Sequence, residues 1–346
     1  MGIPILAEEC EIEHQNSILA SEHLTDRIIK QSSHFELDPE INGKKNRIKS
    51  ERHSRRKVIL ENIRNEMTEV KLRQNDMNLE MGASSWLTTL PIKDEGYVLN
   101  KQCFWDLVSM RYGWRLKRLP DYCECGAEFT TQHALQCAKG GFVTLRHNKI
   151  RNITANLLKE VCKDVRVEPT LQPLSGESFT SKQSNDSDNA RADVCARSFW
   201  LTGQVAFFDV RVFNPNAKRY VNQELNKTYE MNEKEKKKQY NERIMQVEHG
   251  TFTPLVMSAS GGMGRESRKF YARLSEMIAE KRKESYAFVA SWIRRKISFA
   301  LINSVCVCLR GSRSIYHSAS LEESTSAYAR VSEVSSRGDA TLLTFA

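Results

Sequence analysis

Helical spacing of apolar residues marks most of the chain. Ile59, Leu60, Ile63, Met67 and Val70 recur at intervals of three and four, which predicts a basic amphipathic helix over residues 50–75. Cys103, Phe104, Leu107, Val108, Tyr112 and Trp114 predict a second helix with an aromatic face. That face reads as the core of a small domain rather than as a base-stacking platform. Ile150, Ile153, Leu157, Leu158 and Val161 predict a helix over 146–164. Two short runs have strand character instead, Val205 to Phe213 and Phe252 to Met257. Between them a charged helix is expected over 221–245, and two more helices follow at about 265–282 and 285–307. Residues 165–190 turn Ser/Asn/Asp-rich and predict an exposed loop, and the Ser/Ala/Thr-rich tail after Gly311 predicts disorder.

Composition narrows this picture. The chain has 346 residues, 40% of them hydrophobic, which allows a true core in one large or two smaller domains. Its longest apolar stretch, Phe299 to Leu309, contains Asn303 and Ser304 and is too short to span a bilayer. The opening of the chain lacks the basic flank of a secretory signal, since Glu8 and Glu9 follow the first apolar residues. Nine unevenly spaced cysteines therefore predict intracellular thiols, not a disulfide framework. A net charge of +9 makes nucleic acid the default partner, though charge alone is a weak pointer. The basic block from Lys44 to Lys57 is expected to be a solvated connector helix in preference to a phosphate-binding one.

The densest chemistry is the run Cys123, Cys125, His133, Cys137. Three thiols and an imidazole in one short segment suit a tetrahedral structural Zn²⁺. His133 and Cys137 lie four apart and can share a helix face, and Gly126 permits a tight turn after the first pair. The C-x-C spacing is shorter than the usual C-x₂-C and crowds Cys123 against Cys125. A group of free buried cysteines is the competing reading.

Asp193 and Asp209 form a second constellation. Asp209 ends an apolar strand, and two acids brought together through a hairpin can hold an oxygen-seeking cation such as Mg²⁺. Arg211, two residues on, cannot act as a base, so a lysine is expected from the following helix, Lys236 or Lys238. Ordinary ion pairs of the two aspartates with Arg191 and Arg211 are the alternative.

The order of these features resembles a known family. The Cys-Cys-His-Cys cluster is followed by Gly140-Gly141, by Arg146-His147-Asn148, by Arg191-Ala192-Asp193, by Phe208-Asp209-Val210-Arg211-Val212, and by Lys236 four residues before Tyr240. Together with Gly82-Ala83-Ser84-Ser85-Trp86-Leu87-Thr88 and the Val247 to Val256 run, this is similar to the C-terminal region of non-LTR retrotransposon polyproteins that carry a restriction-like endonuclease. The resemblance covers roughly residues 82–312, and no polymerase motif is present. It implies a PD-(D/E)xK restriction-endonuclease-like α/β fold, a mixed sheet flanked by helices, preceded by a small helical zinc-binding module. It also implies a Mg²⁺-dependent, nuclear enzyme that nicks target DNA. Asp193 and Asp209 would be the catalytic acids, Lys236 the catalytic lysine, and Tyr240 its helical companion. Cys123, Cys125, His133 and Cys137 would bind zinc, and Arg146 and His147 match the family's Arg-His pair. Ala192 replaces the commoner Pro, and Asn148 stands where Asp is frequent.

The resulting organisation is a connector (1–80), partly disordered with one basic helix, then a Cys-Cys-His-Cys module (82–145), a nuclease domain (146–310) and a disordered tail (311–346). Arg146, His147 and Arg211 are expected to bind nucleic acid, the two arginines through phosphate. Partners are DNA, element RNA and a reverse transcriptase acting in trans, with no membrane. The alternative is a catalytically inactive, zinc-stabilised nucleic-acid-binding module. Glu160 reads as a solvated helix acid, and the Gly261 to Gly264 turn as a helix start whose N–H groups could hold a phosphate.

Overall fold

The structure, a computed structural model, describes residues 6–31, 40–172, 190–311 and 313. The predicted loop at 173–189 and the tail from 314 lie outside them. The described residues fall into two compact units, Met1–Leu72 and the chain from Arg73 onward.

The first unit holds α1 (Leu6–Ile29) and α2 (Ile41–Asn65). Glu13 of α1 receives Arg52 and, at 3.1 Å, Arg55 of α2. The Arg52 hydrogen bond holds the Glu13 carboxyl below its ordinary range. The region expected to be largely an appendage is thus more helical than predicted. The single helix predicted over 50–75 also ends at Asn65, and α3 (Glu69–Leu79) restarts after a turn.

In the second unit, α4 (Ser85–Thr88), α5 (Lys101–Tyr112) and α6 (Thr131–Ala134) precede α7 (Phe142–Val161). The sheet is built from β1 (Lys163–Val167), β2 (Val194–Arg197), β3 (Val205–Phe213) and β4 (Thr251–Ser258), in that spatial order. β1–β2 and β2–β3 pair antiparallel, and β3–β4 pair parallel. A parallel neighbour needs a crossover, which α8 (Leu225–Gln246) supplies. Helices α9 (Arg265–Arg282) and α10 (Tyr286–Arg310) complete the chain of elements.

Alternation along β3 divides the sheet's two faces. Ala206, Phe208 and Val210 pack with Leu157 and Leu158 of α7, Phe270 and Leu274 of α9, and Val289 and Ile293 of α10. Phe207 faces the other way, with Tyr240 and Ile244 of α8. Because both faces are covered, β3 reads as a nearly continuous apolar run.

α10 takes part in two cores. Val289, Ile293, Ile297 and Leu301 belong to the sheet core. Phe299, Ile302, Val305, Cys306 and Leu309 join Trp86, Leu107, Leu135 and Phe142 around the Cys/His segment. Such all-round burial explains its apolar sequence. Its last turn is fixed by Arg310, which donates to the buried Asp106 at 2.6 and 2.7 Å and to the carbonyls of Lys117 and Arg118. No helix among the described residues is long and apolar enough to cross a membrane.

Candidate metal centre and acid site

The Cys/His segment forms a closed loop before it is a metal site. The Cys123 N–H donates to the Ala127 carbonyl and the Gly126 N–H to the Cys123 carbonyl, each at 2.8 Å. This turn needs a left-handed residue, and Gly126 supplies it at φ +84°. Thr130 then caps α6 by accepting the His133 N–H at 3.1 Å, and the Cys137 N–H reaches the His133 carbonyl at 2.8 Å.

These turns bring the four donor atoms together. Cys123 Sγ lies 3.7 Å from Cys137 Sγ, Cys125 Sγ is 3.8 Å from Cys137 Sγ, and Cys125 Sγ is 3.3 Å from His133 Nε2. All four atoms lie within 4.8 Å of one another, and the three cysteines are free thiols. Tetrahedral Zn–S bonds of about 2.3 Å require sulfur pairs about 3.8 Å apart. The donor set and spacing therefore fit a metal such as zinc. The crowded C-x-C pair does not exclude either thiol: Cys123 is buried and Cys125 exposed, yet both face the same point.

The second cluster grows from strand register. Asp193 stands one step before the Val194–Phe208 pair, just outside β2, which brings it close enough to Asp209 of β3 for its charge to act on that carboxyl. Asp193 is held by four contacts, the first of them the Glu168 N–H donating to its carbonyl at 2.9 Å. Its N–H donates to the Phe208 carbonyl at 3.1 Å, its Oδ2 accepts the Val210 N–H at 2.6 Å, and its Oδ1 lies 2.9 Å from His147 Nε2. Asp209 is buried, with Lys236 Nζ 2.8 Å from Oδ2. Lys236 in turn sits over the Tyr240 ring, 5.4 Å from its centroid. Burial pushes the Asp209 carboxyl up to about 6; Lys236 opposes this and the neighbouring Asp193 adds to it.

The competing lysines are accounted for. Lys237 pairs with Glu266 at 3.0 Å and Lys238 is exposed. Neither aspartate takes the arginine partner that the scaffold reading assigned to it. Arg191 lies 3.9 Å from Glu168, while Arg211 donates to Glu235 at 2.8 Å and to the Tyr220 hydroxyl at 3.3 Å.

Arg146 departs from its expected role. It is 2% exposed and donates to the Leu135 carbonyl at 3.2 Å and the Val212 carbonyl at 3.5 Å, and desolvation lowers its pKa. It ties the Cys/His segment to β3 and is enclosed away from any phosphate. A helix turns about 100° per residue, so its neighbour His147 points elsewhere, to Asp193. Arg211 faces Glu235 rather than an open anion site. The start of α9 is also filled, because Glu233 Oε1 accepts the Glu266 N–H at 3.0 Å. Glu160 takes two hydrogen bonds from Arg282 and none of its contacts reaches the acid pair.

Sequence reasoning also missed Glu80, a half-buried acid with a raised pKa. Glu80 lies beside Tyr229 and Gly262, where a β-carbon on residue 262 would collide with both side chains. Burial pushes its carboxyl up to about 7, against the pull of Tyr229, Arg268 and Arg73. Only the glycine at 262 hinted at a close approach.

No protein-family model matches this chain, and no curated protein matches it.

Proposed function

We propose that this chain is a metal-dependent DNA endonuclease derived from the restriction-like endonuclease region of a non-LTR retrotransposon polyprotein. The observation that carries the reading is the meeting of Asp193, just before β2, with Asp209, in the middle of β3 rather than at its end, His147 bonding the first and Lys236 the second. Residues from α7, β3, α8 and the approach to β2 converge there, with a lysine on the helix rather than two residues after the acid. The mixed sheet with helices on both faces suits a PD-(D/E)xK arrangement, and the neighbouring Cys₃His cluster is what the resemblance requires.

Asp193 and Asp209 are the residues that would hold Mg²⁺. The buried Asp209 favours this, since a carboxylate pushed up to about 6 by burial gains from a cation beside it. A divalent ion there supplies Lewis acidity and charge for phosphodiester hydrolysis. The protein's own contribution is positional. His147 and the Val210 N–H fix the Asp193 carboxylate. Lys236, steered by Asp209 and the Tyr240 ring, places a cation where negative charge grows on phosphate and where water is oriented. DNA, element RNA and a reverse transcriptase in trans are the implied partners, and the nucleus the implied compartment.

The test is nicking of supercoiled plasmid by zinc-loaded protein in Mg²⁺ or EDTA, beside Asp209→Asn. Mg²⁺-dependent nicking that disappears in the variant is the expected result. Salt-sensitive DNA binding by both proteins, with no nicking on plasmid or on single-stranded and gapped substrates, would replace this reading with the non-catalytic binding module.

A further inference from the structure

Helix α5 carries two faces of different character. Cys103, Asp106 and Leu107 point inward. Lys101, Trp105 and Tyr112 fall within an arc of about 40° on the more exposed side, bordered by the buried Val108 and by Phe104, whose ring packs edge-on against the buried Trp86. Trp105 is 53% and Trp114 55% exposed, and Phe104 and Tyr112 are exposed as well. The aromatic group expected to form a small-domain core is therefore about half exposed. Tyr112 and Trp114 are stacked, with ring centroids 5.0 Å apart and planes at 24°. The αL residue Gly113 between them, at φ +67°, makes this stacking possible.

Along α5 and the segment after it the exposed charge is basic, with Asp94, Glu95 and Asp121 just outside that stretch. Between residues 96 and 120 the basic residues are Lys101, Arg111, Arg115, Lys117 and Arg118. The only carboxylate is Asp106, which is buried and neutralised by Arg310. Arg310 also binds the Lys117 and Arg118 carbonyls, which pins this basic segment to the end of α10.

Exposed rings are costly in water and mark an interaction surface. A protein partner would have to be apolar and acidic together. A single nucleic-acid strand supplies both needs, since its bases offer π faces at each step and its phosphates offer regular negative charge. A duplex hides its base faces and offers only the charge. We propose that the Trp105–Tyr112–Trp114 face of α5 is a stacking platform for single-stranded nucleic acid, with Lys101, Arg115, Lys117 and Arg118 contacting its backbone. The inference does not depend on a catalytic acid site, so either reading can fall without the other.

The experiment uses the full zinc-loaded chain and fluorescence anisotropy. The probes are labelled oligo(dT) of about 20 nucleotides, an abasic phosphodiester strand of equal length, and a duplex. Trp105→Ala/Trp114→Ala should weaken oligo(dT) binding at least about tenfold. Abasic-strand and duplex affinity should stay within about twofold, and the salt dependence should not change, because phosphate contacts are untouched. Trp105→Phe/Trp114→Phe keeps a stacking ring and should restore most of the affinity. Lys117→Glu/Arg118→Glu should weaken all three probes together. Equal oligo(dT) affinity for the wild type and the Ala variant would overturn the proposal. So would equal losses on all probes in the Ala variant. A wild-type oligomer that the Ala variant dissolves, with oligo(dT) binding unchanged, would reassign the face to self-association.

Discussion

Replacing Glu80 by Gln isolates the effect of one half-buried acid. The side chain keeps its shape but loses its charge. In the folded protein the carboxyl is pushed from 4.5 up to about 7, with burial as the first cause. An acid whose folded pKa lies above its unfolded value binds its proton more tightly when folded. Its stabilising contribution is therefore complete below about pH 4.5 and is lost as pH rises through about 7. Each tenfold gain in proton affinity corresponds to about 1.4 kcal/mol, which sets an upper limit of about 3 kcal/mol. Partial solvent access reduces the expected figure to about 2 kcal/mol. Urea unfolding in EDTA, followed at intervals from pH 4.5 to 8.5, reads the difference between wild type and Glu80→Gln. Asp209 also titrates near this range, but it is common to both proteins and cancels. The wild type should lose about 2 kcal/mol relative to the variant as pH rises across the window. Parallel curves, or a variant that loses stability faster, would refute the reasoning that burial controls this group.

Other outcomes follow from the same contacts. Wild-type protein refolded with zinc should take up one atom per chain, and Cys137→Ser should lose that atom and melt the Cys/His segment first, as read by metal analysis and hydrogen exchange. Arg310→Met strands the buried Asp106 carboxylate and should cost about 3–5 kcal/mol in urea unfolding. Arg146→Met should lower the melting temperature while leaving the salt slope of DNA binding unchanged, since the guanidinium serves two buried carbonyls. Mg²⁺ should raise the melting temperature of the wild type at pH 8 and leave that of Asp209→Asn unmoved, by preferential binding to the folded acid pair.

Elements with strong periodicity were legible. β3, β4, α7, α8, α9 and α10 match the apolar runs and helical spacings because burial on one or both faces dictates those residues. β1 was missed: it is a short edge strand whose residues are mostly exposed, so no hydrophobic signal marks it. The Cys/His cluster was legible because its ligands are close in sequence. Asp193 and Asp209 were legible as candidates, but their approach follows from the β2–β3 pairing, and β2, only four residues long, carries too short a pattern to announce that pairing. Arg146 and His147 show the limit of adjacency. The pair was assigned to one role, yet the helix sends one side chain into the interior and the other to Asp193. On α5 the predicted inward residues Cys103, Leu107 and Val108 are buried, while the aromatic members of that set, Phe104, Tyr112 and Trp114, are exposed.

The double membership of α10 bears on how the chain matures during synthesis. Its partners Trp86, Leu107 and Leu135 lie about two hundred positions earlier, so their contacts close very long loops. Until α10 leaves the ribosome, the Cys/His region has its four candidate ligands but lacks about a third of its apolar wall, and the sheet lacks one covering helix. Both halves of the second unit thus wait on the same late segment. A nascent chain halted before residue 285 would expose two unfinished apolar surfaces at once, the condition under which chaperones are recruited and aggregation begins.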